Sequence, residues 1–547
     1  MRKIFKIIAW LFASLLLLII VLMIYVRSVA QIDEPKVESK ISEQLTVSQP
    51  DSGLFKINNS WFRKSESGLY ELYVEGKPYE RGLVIGKLSQ ELIQYQEEVF
   101  NKQIHQLVPS TAYLSVLKYF VGWFNRDLDD NVQEEYRQEI YGVSRAASHD
   151  FDDIAPPYQR ILNYHAAHDI GHALQNMSLV GCTAFATWGT KSEDSTLIIG
   201  RNFDFYVGDD FAKNKIIAFY EPSEGHRFMM VTFGGMTGVL SGMNDQGLTI
   251  TLNAAKSEIP SASATPVSLV AREILQYAST IQEAYAIAKR RKMFVAESFL
   301  IGSANDRRAV IIEKSPEGID IYESGTNYII GTNHFQSETL GKSQLNLDHI
   351  KTSASLYRYQ RVQELLDESG KNSVLKTSRI LRDRSGANNK SIGLGNEKSI
   401  NQLIAHHGII FQPEKKLVWI STAPWQLGKF VCYDLNKVFN LDMNENKEIY
   451  EEDLVIPPDP FMLSADFKNA VKFNRYRFPF QSKEGLEPDS LIKWNPDSYL
   501  SYMLAADFCF QNKNYDKAAL LYKEGLTKEV ATVQEREHMK KNLELCN

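Results

Sequence analysis

The run Gly-Cys-Thr-Ala-Phe at residues 181–185 decides the fold of this chain, together with the run Gly-Arg-Asn-Phe-Asp-Phe at residues 200–205. A cysteine with a free α-amino group carries its own base, because that amine titrates at about pH 8 and can accept the thiol proton. Such a cysteine arises only when the preceding peptide bond is broken. We expect Gly181 to permit the tight backbone geometry that thiol attack on its carbonyl needs. The sequence therefore predicts that Cys182 becomes a nucleophile after cleavage between Gly181 and Cys182.

Two charged side chains of the second run suit a thiolate site. Arg201 can hold the thiolate by charge and lower the thiol pKa, and Asp204 can accept hydrogen bonds from the new ammonium group. Positions three apart on a regular strand point to opposite faces, so we expect a bulge or a strand end between these two residues. From the residues alone, the alternative is a buried structural cysteine near a surface Arg/Asp pair.

The pattern of apolar residues changes at Cys182, where short apolar or alternating runs separated by Gly, Asp and Asn begin. Two helical patterns interrupt these runs near Val267–Tyr277 and Ile281–Arg290. The predicted strands cover residues 182–188, 196–203, 216–219, 228–233 and 248–252 before the helices, and 298–301, 309–313 and 328–330 after them. This order indicates helices packed outside sheets.

Composition and pattern divide the chain into six segments. They are a transmembrane signal anchor at 1–30, a stalk at 31–55, a helix-rich segment at 56–181 that becomes the α chain on processing, a catalytic core at 182–456, an irregular linker at 457–498 and a C-terminal helical hairpin at 499–547. The hairpin is similar to part of a tetratricopeptide (TPR) unit. A lone repeat cannot bury its apolar face, so a cap on the main domain is favoured over a partner-binding module.

The N-terminus carries a targeting signal. Three basic residues precede an apolar run from Ile7 to Val26, which has the length of a membrane span. We expect an uncleaved anchor with the catalytic domain on the extracytoplasmic side, in the periplasm or at the cell surface, because positive charge favours the cytoplasm. The alternative is a signal peptide cleaved near Ala30 and a secreted protein.

The bulk composition argues against several partners. With a formal net charge of -6 and no basic run interleaved with aromatic residues, nucleic acid is excluded as a partner. The four cysteines form no CxxC pair. His165, His168 and His172 share one helical face, a spacing compatible with zinc, but we expect them to pack or to hydrogen-bond. We expect neither a metal nor a cofactor.

Further motifs accompany Gly-Cys-Thr at 181–183 and Gly-Arg-Asn-Phe-Asp at 200–204, namely Gly-Lys-Pro-Tyr-Glu-Arg-Gly at 76–82 and Gly-Met-Asn-Asp-Gln-Gly-Leu at 242–248. With them, residues 76–440 resemble the cysteine N-terminal-nucleophile (Ntn) hydrolases. This superfamily includes choloylglycine hydrolases and acid ceramidase-like amidases. Within it, the chain is most similar to the acyl-coenzyme A:6-aminopenicillanic acid acyltransferase group.

The resemblance implies an α+β fold, a four-layer αββα sandwich of two mostly antiparallel sheets with the site at their open edge. It assigns Cys182, Arg201 and Asp204 to catalysis. It also implies that Asn253 and Asn333 line an oxyanion hole, since an amide donates hydrogen bonds without changing its charge. The resemblance also places the family's distal arginine at Arg358, with Arg361, three residues later on the same predicted helix, as the alternative. From the residues alone, each asparagine can instead cap a turn, and the arginine can lie on a solvated basic face.

The function implied is that of an autoprocessing amide hydrolase or acyltransferase that forms an acyl-enzyme on Cys182. Its partners are a small-molecule amide or acyl donor and, through the N-terminal helix, the membrane. Water would complete hydrolysis and an amine would complete acyl transfer, and a membrane location favours a lipid-like N-acyl amide. One alternative is a catalytically inactive anchored protein that binds partners through the C-terminal helices. Another is an uncut thiol enzyme with His334 as its base.

Overall fold

The computed structural model describes residues 2–37, 45–108, 110–174, 181–206, 208–256, 258, 260, 262–478 and 485–546. Within them the chain forms seventeen strands and seventeen α-helices, numbered in chain order. The strands are β1 Ser48–Asp51, β2 Leu54–Ile57, β3 Ser60–Lys64, β4 Tyr70–Gly76, β5 Thr183–Thr187, β6 Ile198–Phe203, β7 Ile216–Pro222, β8 Phe228–Thr232, β9 Ser241–Asn244, β10 Leu248–Ala254, β11 Glu297–Ser303, β12 Arg308–Lys314, β13 Ile319–Tyr322, β14 Tyr328–Gly331, β15 His407–Gln412, β16 Leu417–Ser421 and β17 Phe430–Asp434.

The helices lie on both sides of Cys182 in the sequence. They are α1 Arg2–Val29, α2 Pro78–Leu88, α3 Gln90–Leu107, α4 Thr111–Phe124, α5 Glu134–Ser144, α6 Pro157–Leu174, α7 Val267–Tyr277, α8 Ile281–Arg290, α9 Gln344–Thr352, α10 Ser355–Glu368, α11 Val374–Leu381, α12 Leu435–Val438, α13 Ala465–Asn474, α14 Pro488–Trp494, α15 Tyr499–Gln511, α16 Tyr515–Thr527 and α17 Val533–Leu545. The predicted helices α7 and α8 are confirmed, and α8 begins at a capping box of Thr280 and Glu283.

The strands form two sheets. The larger has the order β1-β2-β3-β4-β7-β8-β9-β10-β11-β12-β13, and the smaller has the order β14-β5-β6-β15-β16-β17. Strand β4 pairs with β7 in parallel, whereas the neighbouring pairs β3/β4 and β7/β8 are antiparallel. The predicted combination of α-helices and sheets is confirmed. The nucleophile candidate immediately precedes β5, a strand inside the smaller sheet.

Apolar side chains join the two sheets and the helices around them. One cluster contains residues of both sheets, such as Phe219 of β7 and Ile409 of β15. A second joins the larger sheet to α2, α5 and α7, and a third joins the smaller sheet to α10 and α11. Burial of these faces is the main favourable contribution to folding. It fixes the start of β5 against elements that lie far away in the sequence.

The predicted stalk at 31–55 is wrong. Ile32 is buried in the main core, Tyr141 donates a hydrogen bond to Glu34 at 2.8 Å, and β1 and β2 join the larger sheet. These strands are short and stand at a sheet edge, where one face is polar, so they lack the alternating pattern that reveals a strand. The segment 56–181 likewise contributes β3 and β4, so the larger sheet crosses the predicted boundary at Cys182.

The predicted irregular linker at 457–498 is also wrong, because it contains α13 and α14. Prolines at 457, 458 and 460 mark breaks in the chain, but the apolar residues after them pack into two small clusters. The C-terminal segment 499–547 contains a third helix, α17, beyond the predicted hairpin. The connection between α16 and α17 contacts the loop before β15, where Glu529 pairs with Lys398 at 2.6 Å.

Helix α1 is long and apolar enough to cross a membrane, and its span Lys3–Val29 is unburied. A membrane anchor and a signal sequence both have this length and composition. Immediately after α1 the chain contacts the folded domain, because the carbonyl of Ala30 accepts a hydrogen bond from Gln159. Gly122 of α4 also packs closely on Ala30.

The motif at 76–82 has a structural basis. Arg81 donates to Glu139 at 2.8 Å, and Arg272 donates to the same carboxylate at 3.2 Å. All three side chains are buried. A Cβ at Gly82 would lie 2.1 Å from the backbone oxygen of Glu139, so only glycine allows α2 to pack this closely on α5. The motif thus connects α2, α5 and α7.

Replacing Glu139 with glutamine tests this buried ion network. Burial alone would raise the pKa of Glu139, but the guanidiniums of Arg272 and Arg81 hold that pKa below its usual value. The carboxylate therefore stabilises the fold above the unfolded-state pKa, and this contribution is lost as the pH falls through the lower folded-state pKa. At neutral pH we expect Glu139→Gln to lower the free energy of unfolding by about 3–5 kcal/mol, measured as a lower thermal midpoint. Glu338→Gln, in an exposed pair with Lys342, should change it by less than about 1 kcal/mol.

Candidate active site

Cys182 lies at the entrance to β5 and is 1% exposed. Its sulfur is 3.9 Å from Nη2 of Arg201 and 4.0 Å from the backbone oxygen of Asp204. Burial raises the pKa of the thiol to about 11, although the Arg201 charge acts in the opposite direction. In the uncut chain the thiol is therefore protonated at neutral pH.

Arg201 lies on β6, directly opposite Ala184 of β5, and is completely buried. Its Nη1 donates to Ser241 Oγ at 2.7 Å, and its Nη2 donates to the carbonyl of Leu252. The guanidinium carbon is 4.3 Å from the ring centroid of Phe203. These contacts fix a positive charge beside the sulfur, where it can stabilise a thiolate.

Asp204 follows the last residue of β6, so the predicted strand end between Arg201 and Asp204 is confirmed. Its carboxylate is fully buried, and neither oxygen has a hydrogen-bond partner among the described residues. Burial raises the pKa of Asp204 to about 7, although the charges of Arg358, Arg201 and Arg477 act to lower it. The Asp204 carbonyl accepts a hydrogen bond from Gly181 N at 2.9 Å.

The carbonyl of Gly181, which belongs to the bond predicted to break, has two side-chain donors. Arg358 Nη1 donates to it at 2.8 Å, and Gln402 Nε2 donates to it at 2.7 Å. Arg358 also donates to Thr183 Oγ1 at 3.1 Å. The solvated-face alternative for Arg358 is wrong, because this side chain is 3% exposed.

The two predicted oxyanion asparagines meet beside Arg358. Asn253 Nδ2 donates to the carbonyls of Gly331 at 3.0 Å and Thr332 at 3.3 Å. Asn333 Nδ2 donates to the Ala254 carbonyl at 2.9 Å, and Asn333 Oδ1 accepts from Arg358 Nη2 at 2.8 Å. In the uncut chain the Asn253 amide therefore donates to two backbone carbonyls, while the Asn333 amide donates to one among the described residues.

Two residues near this site were missed by the sequence reasoning. Gln402 lies in an irregular loop before β15, where no periodic pattern reveals its orientation. Glu297 begins β11 and is buried, and neither carboxylate oxygen has a hydrogen-bond partner among the described residues. Burial, reinforced by the charge of Asp169, raises the pKa of Glu297 far above its ordinary value, although Arg201 acts to lower it. Burial therefore favours the neutral form of Glu297 beside Arg201.

The histidine alternatives receive no support from the described contacts. His165 accepts a hydrogen bond from Thr237 N at 3.0 Å, and its other ring nitrogen contacts the Ile161 carbonyl at 2.9 Å. Neither nitrogen is left for a metal, and the side chains of His168 and His172 lie outside the described residues. His334 contacts Ser355 Oγ at 2.8 Å. Burial lowers the pKa of His334 to about 4.

A cavity of about 1240 Å³ adjoins the site. It lies between α3, α4 and α6 and extends to Arg27 and Ala30 at the end of α1. Its inner end is formed by Phe203 and Leu240, which both contact the Arg201 guanidinium. Its further apolar lining includes Phe205, Phe211, Phe233 and Met236.

Comparison with known proteins provides independent information. Residues 190–423 match the family of acyl-coenzyme A:6-aminopenicillanic acid acyl-transferase. An uncharacterized protein of Archaeoglobus fulgidus is 27% identical over 255 residues, which cover 44% of this chain and 42% of that protein. The chain thus spans less than half the length of this relative. Acid ceramidase of Heterocephalus glaber is 20% identical over 341 residues, covering 57% of this chain and 80% of that enzyme.

The resemblance to the Ntn hydrolase superfamily is confirmed. The matched region contains Arg201 and Arg358 but begins after Cys182. Among solved structures, the Caenorhabditis elegans orthologue of N-acylethanolamine-hydrolyzing acid amidase is 17% identical, covers 43% of this chain and 93% of its own, and superposes with a TM-score of 0.31.

Replacing Asp204 with asparagine tests the raised pKa of this buried carboxyl group. An acid whose folded pKa exceeds its unfolded pKa stabilises the fold fully below the unfolded pKa and loses this contribution as the pH rises through the folded value. For Asp204 that window runs from about pH 4, the unfolded pKa, to about pH 7, the raised folded pKa. The test uses an uncut Cys182→Ala background. We expect the melting temperature of Asp204→Asn, minus that of its Asp204 parent, to increase as the pH rises through this window. A melting-temperature difference that is constant with pH would contradict the assignment.

Proposed function

We propose that this chain is an autoprocessing Ntn amide hydrolase or acyltransferase with Cys182 as its nucleophile. One observation carries the proposal: the Gly181 carbonyl has two donors while the Cys182 sulfur lies beside the Arg201 charge. In this proposal the two sheets and their flanking helices form the four-layer αββα sandwich. The chain is anchored by α1, and its catalytic domain is extracytoplasmic. Neither a metal nor a cofactor takes part.

The first reaction cuts the chain. Cys182 Sγ attacks the Gly181 carbonyl carbon, a sulfur–carbon bond forms, and negative charge develops on the Gly181 oxygen, where Arg358 stabilises it. The carbon–nitrogen bond then breaks, and the thiol proton passes to the departing nitrogen of Cys182. Water hydrolyses the resulting thioester, giving a Gly181 carboxylate and a Cys182 that carries a free thiol and a free amine.

The second reaction uses this N-terminal cysteine. Its amine accepts the thiol proton, and the resulting ammonium gains a partner in Asp204, whose carboxylate oxygens have no hydrogen-bond partner among the described residues of the uncut chain. The thiolate attacks the carbonyl of an external amide and forms an acyl-enzyme. Asn333 and Asn253 donate to the oxyanion, which requires the Asn253 amide to leave its backbone partners. Water releases an acid, whereas an amine accepts the acyl group.

The adjoining cavity supports a lipid-like N-acyl amide as the substrate. Its aromatic and aliphatic lining suits an alkyl chain, because apolar surface gains free energy on leaving water. It extends from Phe203 and Leu240, which contact Arg201, to the end of α1, where an anchored chain meets the membrane surface. Helix α4 borders it and exposes the apolar side chains of Tyr113, Val116 and Phe120. An acyl chain can therefore pass from the bilayer towards Cys182.

Intact-mass analysis tests the cleavage. We expect wild-type protein to yield two pieces, one of 181 residues and one of 366 residues that runs from Cys182 to Asn547. The first piece is shorter if a signal sequence is removed. Cys182→Ala should remain in one piece, because it lacks the attacking sulfur. Full-length wild type with amidase activity would indicate an uncut thiol enzyme. Full-length inert wild type would indicate the inactive protein that binds partners through its C-terminal helices.

Filling the cavity tests the substrate class. Leu117 of α4 lines the cavity, and a tryptophan there occupies space that a long acyl chain needs. We expect Leu117→Trp to lower kcat/KM about tenfold or more for a long-chain N-acyl amide, while a short-chain amide changes less. Leu347→Trp, at an exposed leucine of α9, is the matched control and should affect neither. Equal losses for both chain lengths would contradict the assignment.

A further inference from the structure

We propose that Gln402 is a catalytic residue of the self-cleavage and that Arg477 positions it, which makes the segment after the family-matched region necessary for maturation. This inference rests on the proposed function. It concerns residues outside the predicted site: Gln402 lies in the loop before β15, and Arg477 follows α13.

The contact between Gln402 and Gly181 is close and buried. Gln402 is 1% exposed, and its Nε2 is 2.7 Å from the Gly181 oxygen. A Cβ at position 181 would lie 2.3 Å from the same nitrogen. Glycine at 181 therefore leaves room for the Gln402 amide, which a side chain there would displace.

The Gln402 amide has the chemistry of an oxyanion donor. When Cys182 attacks, the Gly181 oxygen gains negative charge and strengthens a hydrogen bond that already exists, so little reorganisation is needed. Arg358 supplies charge at the same oxygen but also donates to Thr183 Oγ1 and, through its other nitrogen, to Asn333. Gln402 therefore supplies a second, neutral donor from a different element.

Two side chains near the C-terminal end of α13 hold the loop that carries Gln402. Arg477 Nη1 donates to the Gln402 carbonyl at 2.8 Å, and Asn474 Nδ2 donates to the Leu403 carbonyl at 3.2 Å. Leu403 has a φ of +55°, a conformation that costs free energy for a branched residue and needs such support. Arg477 itself is 6% exposed, so its donor is fixed by packing.

The test follows the appearance of the fragment that begins at Cys182 in full-length chain, pulse-labelled during synthesis into membranes. We expect Gln402→Ala to slow this first-order process about 10²-fold, the loss typical of one oxyanion donor. Gln426→Ala is the matched control, a buried glutamine whose side-chain amide has no hydrogen-bond partner among the described residues, and it should cleave at the wild-type rate. Gln402→Ala cleaving as fast as wild type would overturn the proposal while leaving the proposed function intact. Wild type that never cleaves would overturn both.

The pH dependence of Gln402→Glu separates the donor role from misfolding. A glutamate has the same shape as glutamine but donates only when it is protonated. We expect its cleavage rate, relative to wild type at each pH, to rise as the pH falls through the pKa of the new carboxyl. A relative rate that does not change with pH would overturn the donor role.

Arg477 is tested as a positioning residue. We expect Arg477→Met to slow cleavage and Arg477→Lys to restore part of the rate, because lysine can still donate to the Gln402 carbonyl. Arg475→Met, at an exposed arginine two residues earlier, is the matched control and should cleave normally. The positioning role would be overturned if Arg477→Met cleaved at the wild-type rate. It would also be overturned if Arg477→Met and Arg477→Lys lowered the cleavage rate equally.

Discussion

The site depends on the hydrogen bonds that the Gly181 carbonyl accepts inside the protein. Its donors come from α10 and from the loop before β15, and they lie 177 and 221 positions from Gly181 in the sequence. The buried charges around this carbonyl are mainly positive. Arg201 and Arg358 are buried, while burial keeps the Cys182 thiol protonated at neutral pH and raises the pKa of Glu297. The two buried guanidiniums favour whatever negative charge develops in the proposed reaction, on sulfur or on oxygen.

Local features of this arrangement were predictable from the sequence. Helices α7 and α8 were recognised from their periodicity, and the strand end before Asp204 followed from the requirement that Arg201 and Asp204 share a site. Contacts between distant segments were not predictable. Gln402 lies in a loop without periodicity, and Arg477 lies in a segment that composition indicated to be an irregular linker. The glycine at 181 was expected for its backbone freedom, whereas the Gln402 amide that packs against it was not predictable from the motif. A short motif shows which residue type occupies a position, but not which distant residue contacts it.

The larger sheet also explains how a cut chain can remain one body. Strands β1 to β4 precede Cys182, whereas β7 to β13 follow it, and the two groups meet where β4 pairs with β7 over seven residues from Tyr70 to Gly76. Apolar residues on both sides of the cut share one core, including Val84 and Ile140 before it and Ile250 and Ile274 after it. Breaking one peptide bond removes none of these contacts. Most of the folding free energy therefore continues to hold the two pieces together.

In the proposed reaction this division assigns different tasks to the two pieces. The first would carry α1, α3, α4 and α6, and so the proposed membrane helix and most of the cavity wall, while the second would carry Cys182 and its charged neighbours. Because the β4/β7 pairing joins the two pieces, Cys182 would stay tethered wherever α1 is retained. The proposed attachment and the proposed catalysis thus depend on one sheet that neither piece can complete alone.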